Sequence, residues 1–215
     1  MQPLVTVVCL CYNHSRFLRI ALDSVLNQTY PNLEIIVVDD FSTDNSREII
    51  AEYVEKYPQI TYLPNDGNIG NCAAFNRAYE ISKGEYLIDF ATDDVLLPER
   101  ITEQVAAFEE LGPAYGIIYT DAELIDDFGN HLGYYYKRDA EGNLLNPPPS
   151  GDVFADVVAR HFISTPTMTM RRAVVARSLA TFTFMPATGV RRQEGASTRS
   201  PSISTMQARQ LPSAR

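Results

Sequence analysis

Leu22-Asp23-Ser24-Val25-Leu26-Asn27-Gln28-Thr29-Tyr30-Pro31-Asn32-Leu33-Glu34-Ile35-Ile36-Val37-Val38-Asp39-Asp40-Phe41-Ser42-Thr43-Asp44 reads as a helix end, a turn, a buried strand and a polar loop, in that order. Leu18, Ala21, Leu22, Val25 and Leu26 recur at helical spacing and give the helix one apolar face. Pro31 and Asn32 end it. Glu34 to Val38 is a short β-branched run of the kind that fills a sheet covered on both faces. Asp39 to Asp44 is a polar loop rich in helix-capping side chains.

The same alternation continues on both sides. Val5 to Cys11 is an earlier buried strand. Ile49, Ile50, Tyr53, Val54 and Tyr57 give the next helix its apolar face, and Ile60-Thr61-Tyr62-Leu63 is a third strand. Asn65-Asp66-Gly67-Asn68 is turn chemistry. A helix is predicted over 71–82, with Gly84 as its stop, before a fourth strand over Glu85 to Phe90. Pro98 opens a helix whose face is Ile101, Val105, Phe108 and Leu111, and Tyr115 to Tyr119 is a fifth strand. Strands alternating with helices predict an α/β fold with a mostly parallel sheet. Its ligand crevice lies at the C-terminal strand ends, where Tyr12-Asn13, Asp39-Asp40 and Thr92-Asp93-Asp94 fall.

Past residue 130 the pattern thins. Tyr134-Tyr135-Tyr136 reads as a strand, 146–151 as a loop and 153–163 as a helix, while Met168-Thr169-Met170 with Val174-Val175 returns to the sheet. The chain of 215 residues has a net charge of −9, which argues against general nucleic-acid binding. That total hides a break: residues 176–215 hold one acid, Glu194, and six arginines, and lack lysine, tyrosine and aspartate. With no apolar period, this tail is expected to be disordered. Its composition is what an out-of-frame reading of GC-rich DNA gives, so it is expected to be foreign to the domain. No apolar run is long enough to span a bilayer, no signal peptide opens the chain, and three cysteines make no disulfide framework. A cytoplasmic place is the default, with peripheral association at the inner membrane face as the variant.

Adjacent carboxylates such as Asp93-Asp94 repel each other, and a divalent cation sharing substrate phosphates relieves that repulsion; a capping turn is the plainer reading. Asp39-Asp40 offers the same choice between accepting a base N–H and capping a helix. Tyr12 either stacks on a base or is an ordinary half-buried tyrosine. Cys9 and Cys11 share one strand face and read as packing, and His14, His131 and His161 form no ligand spacing. No nucleophile elbow, Walker loop or Gly-x-Gly-x-x-Gly fingerprint is present.

Taken in order, Val5-Thr6-Val7-Val8 through Tyr12-Asn13, the run Ala21 to Asp40, Asn68-Ile69-Gly70, Gly84-Glu85-Tyr86, Thr92-Asp93-Asp94 and Leu97-Pro98-Glu99-Arg100 resemble glycosyltransferase family 2, densely to 121 and thinly to about 175. The resemblance implies the GT-A fold, a Rossmann-like sheet with an incomplete acceptor half here. The implied domain is 1–175, with a nucleotide part over 1–121 and the start of an acceptor part over 122–175, followed by the 176–215 tail. It further implies a nucleoside diphosphate sugar donor, of UDP type, and an inverting transfer that depends on Mn²⁺ or Mg²⁺. The setting would be polysaccharide or cell-wall biosynthesis, and the acceptor a glycan, lipid or protein that the sequence leaves unidentified.

Carried over by position, Leu10 and Tyr12 border the base, Asp40 accepts its N–H with Asp39 beside it, and Asn68 and Gly70 form the turn near the nucleotide. Asp93 lies by the ribose or the metal, and Asp94 is the metal ligand. Three departures stand out: Leu10 replaces the family's proline, Ala91 replaces the first Asp of its acidic motif, and no Glu-Asp pair supplies the general base. The alternative reading is therefore a catalytically incomplete, nucleotide-binding remnant. A nucleotidyltransferase is the third reading, and the absence of a Gly-rich N-terminal phosphate loop counts against it.

Overall fold

A computed structural model describes residues 2–151, 156, 163–173 and 204–207 of the chain. The first half follows the expected alternation, with one unforeseen short strand, β5, between β4 and α4: β1 (Val5–Cys11), α1 (Leu18–Leu26), β2 (Leu33–Asp39), α2 (Ser46–Lys56), β3 (Ile60–Pro64), α3 (Asn71–Ile81), β4 (Tyr86–Ala91), β5 (Val95–Leu96) and α4 (Arg100–Leu111). Then come β6 (Ile117–Ile118), β7 (Asp121–Ile125), β8 (His131–Tyr134), β9 (Thr169–Arg171) and β10 (Ser204–Gln207). The main sheet runs β3-β2-β1-β4-β9-β6, and a smaller one runs β5-β10-β7-β8.

β1 is the hub because all seven of its residues are buried. It pairs in parallel with β2 on one side and β4 on the other. One sheet face presents Val5, Val7, Cys9, Ile35, Val37, Ile88 and Phe90 to the apolar faces of α1, α2 and α4. The other presents Val8, Leu10, Ile36, Val38 and Leu87 to Ala74, Phe75 and Ala78 of α3. Each such side chain contributes about 2 kcal/mol when fully buried, and coverage of both faces explains why the strands read as unbroken apolar runs. Register then aligns the strand ends, with Cys11 opposite Asp39 and Leu10 opposite Ala91.

Several expectations change. The fifth strand shrinks to Ile117–Ile118 and runs antiparallel to β9, which is itself antiparallel to β4. Gly84 is not the helix cap: α3 ends at Ile81 with Ser82 next. The glycine is needed because a Cβ there would lie 2.4 Å from Thr6 Oγ1 and 2.6 Å from Thr6 N. The strand expected at Tyr134–Tyr136 lies instead at His131–Tyr134, and Tyr135 and Tyr136 fall outside it. Its start is set by a turn in which Asp126 N donates to Asn130 O and Gly129, at φ 84, donates to Asp126 O.

β9 returns to the sheet as expected. The helix expected over 153–163 lies outside the described residues except at Asp156, which is helical, and Ile163, which is not; Val174 and Val175 also lie outside. The tail, expected to be disordered, departs from that at Ser204–Gln207, which lie between β5 and β7. Strand pairing uses backbone groups and needs no amphipathic period, so composition alone did not forbid it. The rest of 176–215 lies outside the described residues.

Candidate functional site

At the C-terminal edge, the β1–α1 and β2–α2 loops are laced together by short polar side chains. Asn13 adopts the left-handed conformation at φ 58, which Asn tolerates. Its Oδ1 accepts from Thr43 N at 2.7 Å, while its own N–H donates to Ser42 Oγ at 2.9 Å. His14 N donates to Ser46 Oγ, and Ser15 N to Asp44 Oδ2. Partial burial pushes the Asp44 carboxyl up, but the hydrogen bonds from Ser46 and Ser15 outweigh it and hold it below the usual range. The polar side chains of this loop brace its neighbour; α2 has no side-chain cap.

Asp39 and Asp40 take up different work. Asp39 is fully buried; it accepts from Ser42 N and, at 2.7 Å, from Arg47 Nε. Asp40 accepts from Asn65 Nδ2 and Ile69 N through Oδ1 and from Gly70 N through Oδ2, all at 2.8 Å. Gly70 sits at φ 84, a conformation open to glycine and strained for other residues. Asp40 thereby fixes the 68–70 turn against β2. Leu10, Tyr12, Asp40, Asn68, Gly70 and His14 line one cleft of about 280 Å³, and Ala91 puts a methyl group in its wall. Tyr12 is 45% exposed. Five of the residues singled out for nucleotide contact therefore meet in one place, and Asp39 faces away toward Arg47.

The acidic turn after β4 lies alongside. Thr92 N and Oγ1 both donate to Leu10 O, and Asp94 N donates to Ala91 O. Asp93 is part-exposed, with its Oδ2 3.9 Å from His14 Nε2. Asp94 is buried, and its charge acts on the fully buried Arg100. Burial draws the Arg100 guanidinium down to about 9, against the pull of Asp94. Arg100 Nη2 donates to Pro166 O and Met168 O, while among the described residues Nε and Nη1 have no hydrogen-bond partner. Gln28 holds the following turn, donating to Leu97 O at 2.8 Å and accepting from Ile101 N. The Asn27 to Asn32 stretch thus braces the acidic turn.

The donor set fits a hard cation shared with a diphosphate. Asp93 is open to solvent, and among the described residues no N–H group hydrogen-bonds its carboxylate. Among those residues no three His, Cys, Asp or Glu side chains gather into a metal cage, so substrate oxygens would complete the shell. Asp89, on β4 opposite Val8, is pushed up to about 7 by burial. His14 and Arg100 were not assigned roles by sequence reasoning; the partners that give them meaning lie 78 and 66 residues away.

A glycosyltransferase of Rickettsia felis, named only as uncharacterized, is 38% identical over 135 residues, covering 61% of this chain and 22% of the relative. The chain spans less than half the length of such curated relatives. Among solved structures, a Pyrobaculum calidifontis mannosyltransferase in complex with GDP-Man and Mn²⁺ superposes with a TM-score of 0.57 at 22% identity, covering 82% of this chain and 47% of that one. S. aureus TarS 1-349 in complex with UDP superposes at 0.56 and 20% identity, covering 81% and 48%. These likenesses show the GT-A fold. Residues 6–178 match the family described as Glycosyl transferase family 2, and the chain belongs to that family.

Proposed function

We propose that this chain forms the donor-binding part of a metal-dependent, inverting glycosyltransferase that takes a sugar from a UDP-type nucleoside diphosphate sugar and passes it to an acceptor hydroxyl. The observation that carries this reading is the convergence of Tyr12, Asp40, Asn68 and Gly70 on one cleft beside Asp93. The Tyr12 ring stacks on the base, and Leu10 borders it. Asp40 Oδ2, with one hydrogen bond from Gly70, keeps capacity for the N–H of a uracil ring. Asn68 and Gly70 close the nucleotide side, and Asp39 supports the loop from beneath through Ser42 and Arg47. Asp93 and Asp94 would hold Mn²⁺ or Mg²⁺, which supplies charge neutralisation of the diphosphate leaving group. The solved relatives named above carry UDP, or GDP-Man with Mn²⁺, in their own sites.

The second reading is a donor-binding module that does not transfer. It is favoured by the lone acid, Glu194, in 176–215, where the family's general base would be sought. In that reading 1–175 is the domain and 176–215 is foreign to it. Incubation with UDP-sugars and Mn²⁺ separates the two: release of UDP supports turnover, and binding without release supports the module.

A further inference from the structure

We propose that His14 is itself a ligand of the divalent cation, binding through Nε2 beside Asp93, and that this nitrogen tilts the site toward Mn²⁺ over Mg²⁺. The inference rests on the donor-site reading above, and its test separates the two. His14 Nδ1 lies 3.0 Å from Thr92 Oγ1. That hydroxyl has one proton, and it donates to Leu10 O at 3.1 Å. Nδ1–H is therefore the donor to Thr92, and in the neutral ring it is Nε2 that carries the lone pair. A hydrogen bond at the far nitrogen is the arrangement that orients an imidazole for metal binding.

The distance points the same way. Nε2 and Asp93 Oδ2 stand 3.9 Å apart, too far for a hydrogen bond. With the ring neutral these are two acceptors facing each other, and a cation between them satisfies both. Two ligands each about 2.0–2.2 Å from one ion lie no more than about 4.4 Å apart, so the gap admits a shared ion. The ring is held in place: His14 N is bonded to Ser46 Oγ, and His14 O accepts from Phe17 N and Leu18 N. Both side chains are part-exposed, at 20% and 26%, and His14 lines the cleft, so an ion reaches them from the nucleotide side. Mg²⁺ takes oxygen ligands and holds strictly to them, whereas Mn²⁺, a first-row transition ion, accepts an imidazole nitrogen among oxygens, so an imidazole in the shell favours Mn²⁺ over Mg²⁺.

Pulsed electron paramagnetic resonance of the full chain with Mn²⁺ and UDP tests this directly. Histidine nitrogen coupling to bound Mn²⁺ is expected, changing character when the protein is labelled with ¹⁵N-histidine and vanishing in His14→Ala. In parallel, His14→Ala should weaken Mn²⁺ binding in the presence of UDP about tenfold and Mg²⁺ binding less than threefold. Bound Mn²⁺ without nitrogen coupling in the wild type overturns the ligand role of His14 and leaves the donor site standing. Equal losses for the two metals overturn the selectivity. Failure of Mn²⁺ to bind with UDP at all overturns both the inference and the reading beneath it.

Discussion

The dipeptide Asp-Asp stands at the ends of β2 and β4, the strands that flank β1, and these two copies do different work. Asp39 and Asp40 are buried and receive protein donors: Ser42 N and Arg47 for the first, Asn65, Ile69 and Gly70 for the second. Asp93 is part-exposed, faces a histidine nitrogen at 3.9 Å, and among the described residues accepts no N–H hydrogen bond. Asp94 is buried beside the Arg100 charge. The local supply of donors decides the role. A carboxylate whose lone pairs are filled by backbone N–H groups shapes a loop, and one left open is available to a cation.

The largest effect should come from the support beneath the second pair. Arg100→Ala removes a fully buried side chain, frees Pro166 O and Met168 O, and takes away the guanidinium charge on which Asp94 acts. A loss of about 3 kcal/mol or more in urea denaturation is expected. A loss below about 1 kcal/mol would show that Asp94 does not depend on Arg100.

Next comes the contrast itself. Asp40→Ala should cost about 2 kcal/mol, because three N–H groups lose their acceptor, and should weaken UDP binding at least tenfold. Asp93→Ala should leave stability within about 0.5 kcal/mol yet abolish the Mn²⁺ dependence of UDP binding. Equal destabilisation by the two would break the comparison.

Asp89 sharpens it as a carboxylate with neither N–H donors nor a cation among the described residues. Burial holds its folded form near 7, so the folded chain binds a proton that the unfolded chain releases near 4. Its contribution is nil below about pH 4, and stability falls as pH rises from about 4 to about 7. Asp89→Asn should remove that fall and stabilise the chain at pH 8 by on the order of 2 kcal/mol, measured by denaturation across pH. A wild-type stability that rises through this window and a variant with an unchanged slope would contradict this.

The smallest effect concerns Phe41, which holds a left-handed φ of 68 between the first pair and its brace. Phe41→Gly relieves about 1 kcal/mol of backbone strain and gives up a similar contact between its ring and Arg47, 5.1 Å away. The melting temperature should move by only a few degrees, whereas Phe41→Val, which keeps the strain and loses the ring, should lower it further.

The parallel half of the fold was legible because its strands are covered on both faces and its helices keep one apolar stripe, so β1 to β4 and α1 to α4 fell close to where the apolar period placed them, whereas the two-residue β5 was not foreseen. Gly84 was visible as a constraint but misassigned, because close approach to Thr6 is a tertiary fact. The hairpin of β7 and β8 was missed although Asp127-Phe128-Gly129-Asn130 is turn chemistry, because its strands are short and half-exposed. Leu10, Tyr12, Asp40, Asn68 and Gly70 were singled out by ordered motifs, and they line one cleft. The pairing of His14 with Thr92 and Asp93 was not, since no local spacing records a contact made across the sheet.

The central claim is that this cleft binds a nucleoside diphosphate together with a divalent cation. Calorimetric titration of UDP into the chain, with Mn²⁺ and then with excess EDTA, tests it most directly. The account predicts one site per chain and an affinity at least tenfold tighter with Mn²⁺. Equal affinity in the two conditions, or no binding in either, would contradict it.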